Sequence, residues 1–388
     1  MGKRKEHTML CSFFCIMVDT KEGDMVKLIH CADIHLGGRL NTHFNMQQAK
    51  ERNAELIASL IHMVEYGQEN GVSMILISGD LCDASSVPVP LQKTFIHIIQ
   101  SHPDMEFFYL RGNHDDNSVL DGTEETLSNL HCFNNDAWTT YTYALHGFNL
   151  TVSGMELSNH SNLSGLRLNS EDINIVMLHG QIKDYGKRDG YDIPLRQLEY
   201  QNIDYLALGH IHKYEQGVLK PCGKWCYSGS LEGRGFDETG EHGFVLVDVD
   251  EKQRTVNTAF VPFSKRRVHV IRVDVSDCTS SIEMVALAKS MITSDMKDDM
   301  VRIVLSGKVD IHTEKDIITI QKLLEDTCWY VEVKDETEFS FDYGEYAKDA
   351  SLKGEFVRLV YQNENLDEMQ KAEIIRCGIA ALAMEDVL

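Results

Sequence analysis

Apolar runs that stop abruptly at polar residues constrain the fold of this chain more than any other feature of its sequence. These runs lack the alternation of a half-buried strand, so they predict strands buried on both faces, as in a parallel sheet flanked by helices. A helical pattern over 46–70 separates the first two runs. We therefore expect an α/β fold with its chemistry at the carboxyl ends of the strands. The runs are 25–32, 74–78, 107–110, 173–178 and 204–208.

Each run is followed by residues that bind metal ions in proteins. A single His or Asp at a strand end is usually a loop or capping residue, but here the clusters recur in chain order. Side chains two positions apart on a strand point the same way, so the D-x-H and H-x-H pairs each aim at one point. Carboxylate oxygens and imidazole nitrogens suit two divalent ions that share a carboxylate. The clusters contain Asp33, His35, Asp80, Asp83, Asn113, His114, Asp115, His179, His210 and His212.

The overall charge limits how the protein could meet nucleic acid. The formal net charge is −23, from 60 acidic and 37 basic residues, which argues against a protein that coats nucleic acid through its own field. An enzyme acting on nucleic acid stays compatible with this charge, because bound metal ions reverse the local sign. No G-x-x-x-x-G-K phosphate loop occurs, so ATP hydrolysis would have to come from a partner.

The N-terminal stretch and the cysteines bear on localisation. Lys3, Arg4 and Lys5 precede an apolar run, yet no small-residue cleavage site follows, so we expect an extra leader of uncertain status over 1–24 rather than a secretion signal. The ten cysteines lack zinc-site spacing, which favours free thiols in a reducing cytoplasm. No run is long enough to span a membrane. We expect a cytoplasmic protein that does not bind membranes.

The order D-x-H, G-D-x-x-D, G-N-H-D, H and G-H-x-H between Asp33 and His212 resembles the calcineurin-like metallophosphoesterase superfamily. The resemblance implies a four-layer α/β/β/α sandwich and phosphate ester hydrolysis by attack of a metal-bridged hydroxide on phosphorus. It also implies that His114 is the catalytic acid, that Asp83 is the catalytic partner orienting it, and that Asp115 braces the loop. The implied ligands are Asp33, His35 and His212 for one ion, Asn113, His179 and His210 for the other, and Asp80 as the bridge.

A closer resemblance is to the SbcD-like DNA repair exonucleases, strongest over 25–249. The segments LIHCADIHLGG, LGHIHK and WCYSGSLEGRGFDETGEHGFVLVDVD carry it. It implies a nuclease domain over 25–264, a small α/β capping domain over 265–342 and a helical tail over 343–388. It also implies manganese, with iron or magnesium as alternatives, and DNA as substrate. The implied partners are an SbcC-like coiled-coil ATPase, docking at 354–362, and a second copy in a homodimer.

The sequence departs from these patterns at two positions. Ile34 stands where an aromatic residue is frequent, and Arg111 where a proline is frequent. The resulting R-G-N-H resembles protein serine/threonine phosphatases, but those enzymes carry an arginine where Ala84 follows Asp83 here, and they lack G-H-x-H. The phosphatase interpretation is therefore disfavoured.

Two arginines are candidate substrate contacts. Arg111 precedes the G-N-H-D motif, and Arg234 lies in the glycine-flanked loop EGRGFDE. Two other functions stay open from the sequence. A phosphoesterase acting on a nucleotide or another small phosphate ester would use the same metals, and a non-catalytic scaffold of the same fold would usually have lost ligands. Because every ligand position is present, the scaffold is the weakest of the three.

Overall fold

The structure is a computed structural model of the 388-residue chain. It describes residues 12–17, 25–38, 44–83, 88–115, 120, 127–135, 137–145, 147–157, 163–184, 190–310, 313–340, 343–346 and 348–383. Of the predicted leader, residues 1–11 and 18–24 lie outside the described residues. Ala84 lies outside them as well, and so do residues 384–388 of the predicted tail.

Helices and strands alternate between Val26 and Leu110, and strands predominate from Leu130 to Asp274. The strands are β1 Ser12–Met17, β2 Val26–Cys31, β3 Val72–Ser78, β4 Glu106–Leu110, β5 Leu130–Cys132, β6 Thr139–Ala144, β7 Asn149–Gly154, β8 Ile173–His179, β9 Gln181–Ile182, β10 Asp192–Ile193, β11 Tyr205–Gly209, β12 Glu215–Leu219, β13 Gly223–Tyr227, β14 Gly243–Asp250, β15 Thr255–Pro262, β16 Val268–Asp274, β17 Met300–Ser306, β18 Lys308–Asp310, β19 Tyr330–Asp335 and β20 Glu338–Ser340. The helices are α1 Met46–Glu69, α2 Val89–Ser101, α3 Leu195–Leu198, α4 Ser281–Met291, α5 Ile317–Leu324, α6 Tyr343–Tyr346, α7 Leu352–Tyr361 and α8 Glu368–Ala383.

The chain divides into two compact units, and the first is discontinuous. The first unit comprises Met1–Arg234 and Glu241–Lys265, and the second comprises Gly235–Gly240 and Arg266–Leu388. The short segment Gly235–Gly240 thus leaves the first unit and is followed by a return to it. Each unit has its own hydrophobic core.

Two sheets form the body of the first unit. One has the strand order β1-β6-β7-β8-β11-β13-β12 and the other β15-β14-β2-β3-β4-β5. Buried residues such as Leu28, Leu76, Phe108, Val152 and Ile175 form one cluster between the sheets. All five predicted apolar runs are strands here, β2, β3, β4, β8 and β11, and each pairs in parallel with a neighbour. The predicted α/β sandwich is confirmed.

The outer layers of this sandwich are unequal. On one side α1 begins at a capping box formed by Asn45 and Gln48 and buries Leu56, Leu60 and Met63. On the other side, a cluster with Leu178 and Leu206 is covered, among the described residues, by loops and the four-residue helix α3. The second helical layer implied by the resemblance is therefore thin in the part of the chain described.

The second unit contains a small parallel sheet with helices. Its strands lie in the order β16-β17-β19, and the faces of α4 and α5 bury Met284, Ala288, Ile320 and Leu324 against them. A second core joins the tail helices α7 and α8 through Val357, Val360, Ile375 and Ile379. None of the helices in the described residues is long and apolar enough to cross a membrane.

The segment Gly235–Gly240 is held in the second unit by aromatic contacts. The Arg302 guanidinium lies 4.3 Å from the centre of the Phe236 ring. The Tyr330 ring lies 6.0 Å from the same ring, centre to centre. Since Phe236 is only 5% exposed, these contacts and its burial keep the segment in the second unit.

Candidate metal centre

Four of the predicted ligands have an unusual backbone conformation. Asp33 (φ 52°), His35 (51°), Asp80 (52°) and His210 (98°) all have positive φ, which non-glycine residues rarely adopt. The backbone N–H of Asp33 donates to Gly79 O at 3.0 Å, and that of His35 donates to Asp80 O at 2.9 Å. These bonds tie the ends of β2 and β3 together. Strain of this kind persists where surrounding structure enforces it, commonly at functional sites.

One group of converging ligands contains Asp33, His35 and His212, as the sequence predicts. One ligand atom from each lies within 4.8 Å of the others, and the His35 and His212 Nε2 atoms are 3.1 Å apart. The Asp33 carboxylate is oriented by the backbone N–H of His210, which donates to both its oxygens at 3.0 Å. This arrangement offers two imidazoles and a carboxylate to one ion.

The second group contains Asn113, His179 and His210. Asn113 Oδ1 lies 2.9 Å from His179 Nε2 and 3.1 Å from His210 Nδ1. Asp80 lies between the two groups, because its Oδ2 is 3.3 Å from His179 Nε2 and 3.8 Å from His35 Nε2. Asp33, Asp80 and His179 also converge within 4.8 Å. Asp80 is thus positioned to be shared by two ions.

The hydrogen bonding of His179 tests whether these residues fit a cation. Its Nδ1 lies 2.9 Å from Ser78 O, and because a carbonyl only accepts, Nδ1 must carry the proton. In the neutral ring, Nε2 then presents a lone pair toward the oxygens of Asp80 and Asn113. Three electron-pair donors facing one point repel one another unless a cation lies among them. The donor set therefore fits a divalent ion.

In the metal-free protein a proton takes the place of that cation. Burial works against a charge on His179, but the hydrogen bond and attraction from Asp80 outweigh it and raise the pKa of His179 to about 9. Burial likewise opposes the charge on Asp80, yet His179 holds the pKa of this carboxyl below its usual value. Burial raises the pKa of Asp33 to about 6. Burial, aided by Arg234, lowers the pKa of His35 to about 3.

His114 and Asp83 form a pair beside the ligands. His114 Nδ1 is 2.9 Å from Asp83 Oδ1, and the His114 side chain is 48% exposed. Its backbone N–H donates to Asp80 Oδ1 at 2.8 Å, which fixes the ring next to the carboxylate between the two groups. Arg234 Nη2 donates to the other Asp83 oxygen at 2.7 Å.

The loop that carries Asn113 and His114 is braced by Asp115. Its carboxylate accepts from the backbone N–H groups of Gly112 at 2.9 Å and Cys82 at 2.8 Å. These bonds join the loops after β3 and β4. Gly79 and Gly112 let the loops approach, since an added Cβ would lie 2.2 Å from His179 Nδ1 and 2.1 Å from Asp80 Oδ1, respectively.

Arg111 lies at the edge of the site, held by a residue that the sequence patterns did not single out. Its Nε and Nη2 donate to the two oxygens of Glu156 at 2.8 and 2.7 Å. Ser78 and Glu156 were both missed, because a backbone carbonyl and an acid 45 residues away leave no spacing signal. The proposed substrate contacts of Arg111 and Arg234 stay predictions.

Comparisons with known proteins agree with this site. The family profile described as "Calcineurin-like phosphoesterase" matches residues 26–214. The "Uncharacterized metallophosphoesterase YhaO" of Bacillus subtilis (strain 168) is 25% identical over 300 residues, covering 72% of this chain and 71% of that protein.

Solved structures are similar at much lower identity. A protein of Thermus thermophilus is 11% identical with a TM-score of 0.38, covering 61% of this chain and 99% of that one. A dimetal phosphatase from Danio rerio is 10% identical with a TM-score of 0.38, at the same two coverages.

The matched region and the geometry coincide. Residues 26–214 contain every predicted ligand, from Asp33 to His212, together with His114 and Asp83. The carboxylate, amide and imidazole groups there converge as a two-metal site requires. Over residues 26–214 the chain is therefore similar to the calcineurin-like phosphoesterases, and this same stretch carries the converging donor groups.

Proposed function

We propose that this chain is a manganese-dependent phosphodiesterase acting on DNA, as an exonuclease or endonuclease of DNA repair. One observation carries the phosphodiesterase assignment: His114, paired with Asp83 at 2.9 Å, follows the ligand Asn113 directly and bonds through its backbone to Asp80. A proton donor is thereby fixed next to the point where the metal ligands meet.

The residues have separate tasks in the proposed hydrolysis. When bound, two divalent ions supply water of lowered pKa and offset the charge of the phosphate. Asp83 holds His114 Nδ1, which leaves Nε2 as the nitrogen that delivers a proton to the leaving oxygen. Asp115 and Gly112 keep this loop against β3, so the acid stays in place through the reaction.

Two features support DNA as the substrate. The segments that resemble SbcD-like nucleases extend beyond the metal ligands, through 249. In addition, His114 is about half exposed, with 48% of its side chain accessible, so a polymer could reach the acid without being enclosed. The negative overall charge of −23 then makes the bound cations the main attraction for a phosphate backbone.

The proposal includes an SbcC-like ATPase as partner and a second copy of the chain. The helix α7 covers the predicted docking segment and buries Val357 and Val360 in its own unit. On the opposite face of α7, Leu359 is 62% exposed. We expect this side chain to enter an apolar groove of the partner.

The test measures manganese-dependent cleavage by the purified chain, alone and with its ATPase. Linear duplex and single-stranded DNA are compared with nucleotides at equal metal concentration. His114→Ala should lower DNA cleavage by about 10²- to 10⁴-fold and leave manganese binding intact. His62→Ala, on the exposed face of α1, is the matched control and should retain full activity.

Two results would contradict the proposal in different ways. Cleavage of nucleotides without any cleavage of DNA would make the chain a small-molecule phosphoesterase. Full DNA cleavage by His114→Ala would remove this residue from the mechanism while leaving the metal centre in place.

A further inference from the structure

The Asp83 carboxylate is shared between two side chains from distant parts of the first unit. Its Oδ1 lies 2.9 Å from His114 Nδ1, and its Oδ2 accepts from Arg234 Nη2 at 2.7 Å. Because one carboxylate oxygen is bonded to His114 and the other to Arg234, both ends of the carboxylate are held and its rotation is restricted. The orientation of the His114 ring therefore depends on Arg234, although Arg234 does not contact that ring in any bond described.

The Arg234–Asp83 pair lies directly against the loop that follows β2. A Cβ added at Gly38 would lie 3.0 Å from Asp83 Oδ2 and 3.1 Å from Arg234 Nη2. Both side chains are mostly buried, with 19% of Arg234 and 24% of Asp83 exposed. Water competes weakly for a charged pair in such a position, which makes its geometry more definite than that of a surface pair.

The backbone next to Arg234 is held by a buried ion network. Arg52 of α1 is 1% exposed and donates through Nη2 to Gly233 O at 2.8 Å and to Glu232 Oε2 at 2.7 Å. Glu232 Oε1 accepts from Ser59 Oγ at 2.6 Å and from the backbone N–H of Lys265 at 2.7 Å. The two residues before Arg234 are thus fixed to a long helix.

Buried charges of this kind are costly, and pairing alone rarely makes them stabilising. The buried network instead fixes the position of the backbone, because each hydrogen bond in it tolerates only a narrow range of geometries. The backbone fixed here is the one from which the Arg234 side chain extends. The sequence patterns suggested a substrate contact for Arg234, whereas the observed bond is to the partner of the catalytic acid.

We infer that Arg234 is a positioning residue for His114, acting through Asp83 and held in place by Arg52. This inference rests on the proposed function for its kinetic consequences. A positioning residue affects the step in which the leaving oxygen is protonated, so its loss lowers kcat. A residue that binds the phosphate would instead raise KM.

The kinetic test compares Arg234→Gln with Arg234→Lys and with the exposed control Arg196→Gln. Arg234→Gln should lower kcat on DNA by about 10- to 100-fold, the usual effect of losing a residue that orients a catalytic group, with KM nearly unchanged. The loss should shrink on a nitrophenyl phosphodiester, whose leaving group needs little protonation. Arg234→Lys should recover part of the activity, because an ammonium pairs with Asp83 without the planar fork.

A spectroscopic test does not depend on activity. In the metal-free protein with isotope-labelled histidine, the His114 ring should be protonated at Nδ1 in the neutral form. Arg234→Gln should give a mixture of the two tautomers, and the His114 signal is identified by its loss in His114→Ala. Arg196→Gln should leave the spectrum as in the wild type.

The outcomes separate the two proposals. A wild-type chain that cleaves no phosphodiester overturns the proposed function, and the tautomer measurement still tests Arg234. An active wild type with an equally active Arg234→Gln and an unchanged tautomer overturns the present inference. A raised KM at unchanged kcat overturns it too, in favour of a phosphate contact.

Discussion

Two sets of parallel strands in this chain end in aspartates, with opposite results. In the first unit, Asp33 and Asp80 follow β2 and β3 with φ of 52° each and face imidazole rings. In the second unit, Asp274 ends β16, and its Oδ1 accepts from the Ser276 backbone at 3.0 Å and hydroxyl at 2.6 Å. Asp335 ends β19 and pairs with Lys315 at 2.6 Å.

The difference shows where chemistry becomes possible at a strand end. A carboxylate satisfied by residues two positions ahead only closes a turn. A carboxylate that the backbone turns toward other hydrogen-bond acceptors is repelled by them unless a cation binds between them. Among the described residues, every non-glycine residue with positive φ lies between Asp33 and Arg254, and none lies in 266–383. Backbone strain and candidate chemistry thus occur in the same unit.

The largest expected effect comes from removing the shared carboxylate. Asp80→Asn should lower metal-dependent hydrolysis by about 10³-fold and reduce the number of manganese ions bound, because His179 and His35 lose the charge between them. The matched change Asp274→Asn should leave both quantities unchanged. Calorimetry of manganese binding and a hydrolysis assay measure them. An active Asp80→Asn protein would remove the distinction between the two strand ends.

A smaller effect is expected from adding a methyl group beside each strand end. Gly79→Ala at φ +92° would bring a Cβ within 2.2 Å of His179 Nδ1 and 3.0 Å of the Gly112 backbone. It should lower the free energy of unfolding by about 1–3 kcal/mol and weaken manganese binding.

Gly307 provides the comparison in the second unit. At φ +101°, its new Cβ would meet the Asp274 and Ser276 side chains at 2.3 Å. Gly307→Ala should therefore destabilise the protein without changing metal affinity. Urea unfolding and calorimetry report the two quantities, and equal loss of affinity in both variants would contradict the assignment.

The smallest effect is a release of protons on metal binding. His179, with its pKa raised to about 9, is protonated near pH 7.5 and must lose that proton to bind a metal. His35, with its pKa near 3, and Asp33, near 6, have largely lost theirs. We expect about one proton released per protein, seen as a binding enthalpy that changes with buffer.

The same shift predicts how the metal-free protein responds to pH. Because the folded pKa of His179 exceeds its ordinary value of 6.5, its stabilising contribution is full below about pH 6.5 and is lost as pH rises through about 9. The thermal midpoint of the metal-free protein should fall over that interval, while manganese affinity rises. A buffer-independent enthalpy with a flat midpoint would contradict the acceptor cluster described around His179.

The convergence of these side chains was predictable because its signal is local. Each ligand follows an apolar strand within a few residues, and parallel strands bring such positions to one edge of a sheet. Contacts between distant residues left no such signal. Arg234 and Asp83 are 151 residues apart, and Arg52 reaches Glu232 across 180. The thin outer layer near α3 was also unpredictable, since loops carry no hydrophobic period.

The excursion of Gly235–Gly240 into the second unit sets an order of events during synthesis. When Phe236 leaves the ribosome, Arg302 and Tyr330, whose side chains contact its ring, have not yet been translated. The first unit, meanwhile, can receive β14 beside β2 as soon as residue 250 emerges. The apolar Phe236 ring therefore stays exposed to solvent, in a segment held at both ends, until nearly a hundred more residues have been synthesised. A nascent chain halted in that interval would be a natural target for chaperones.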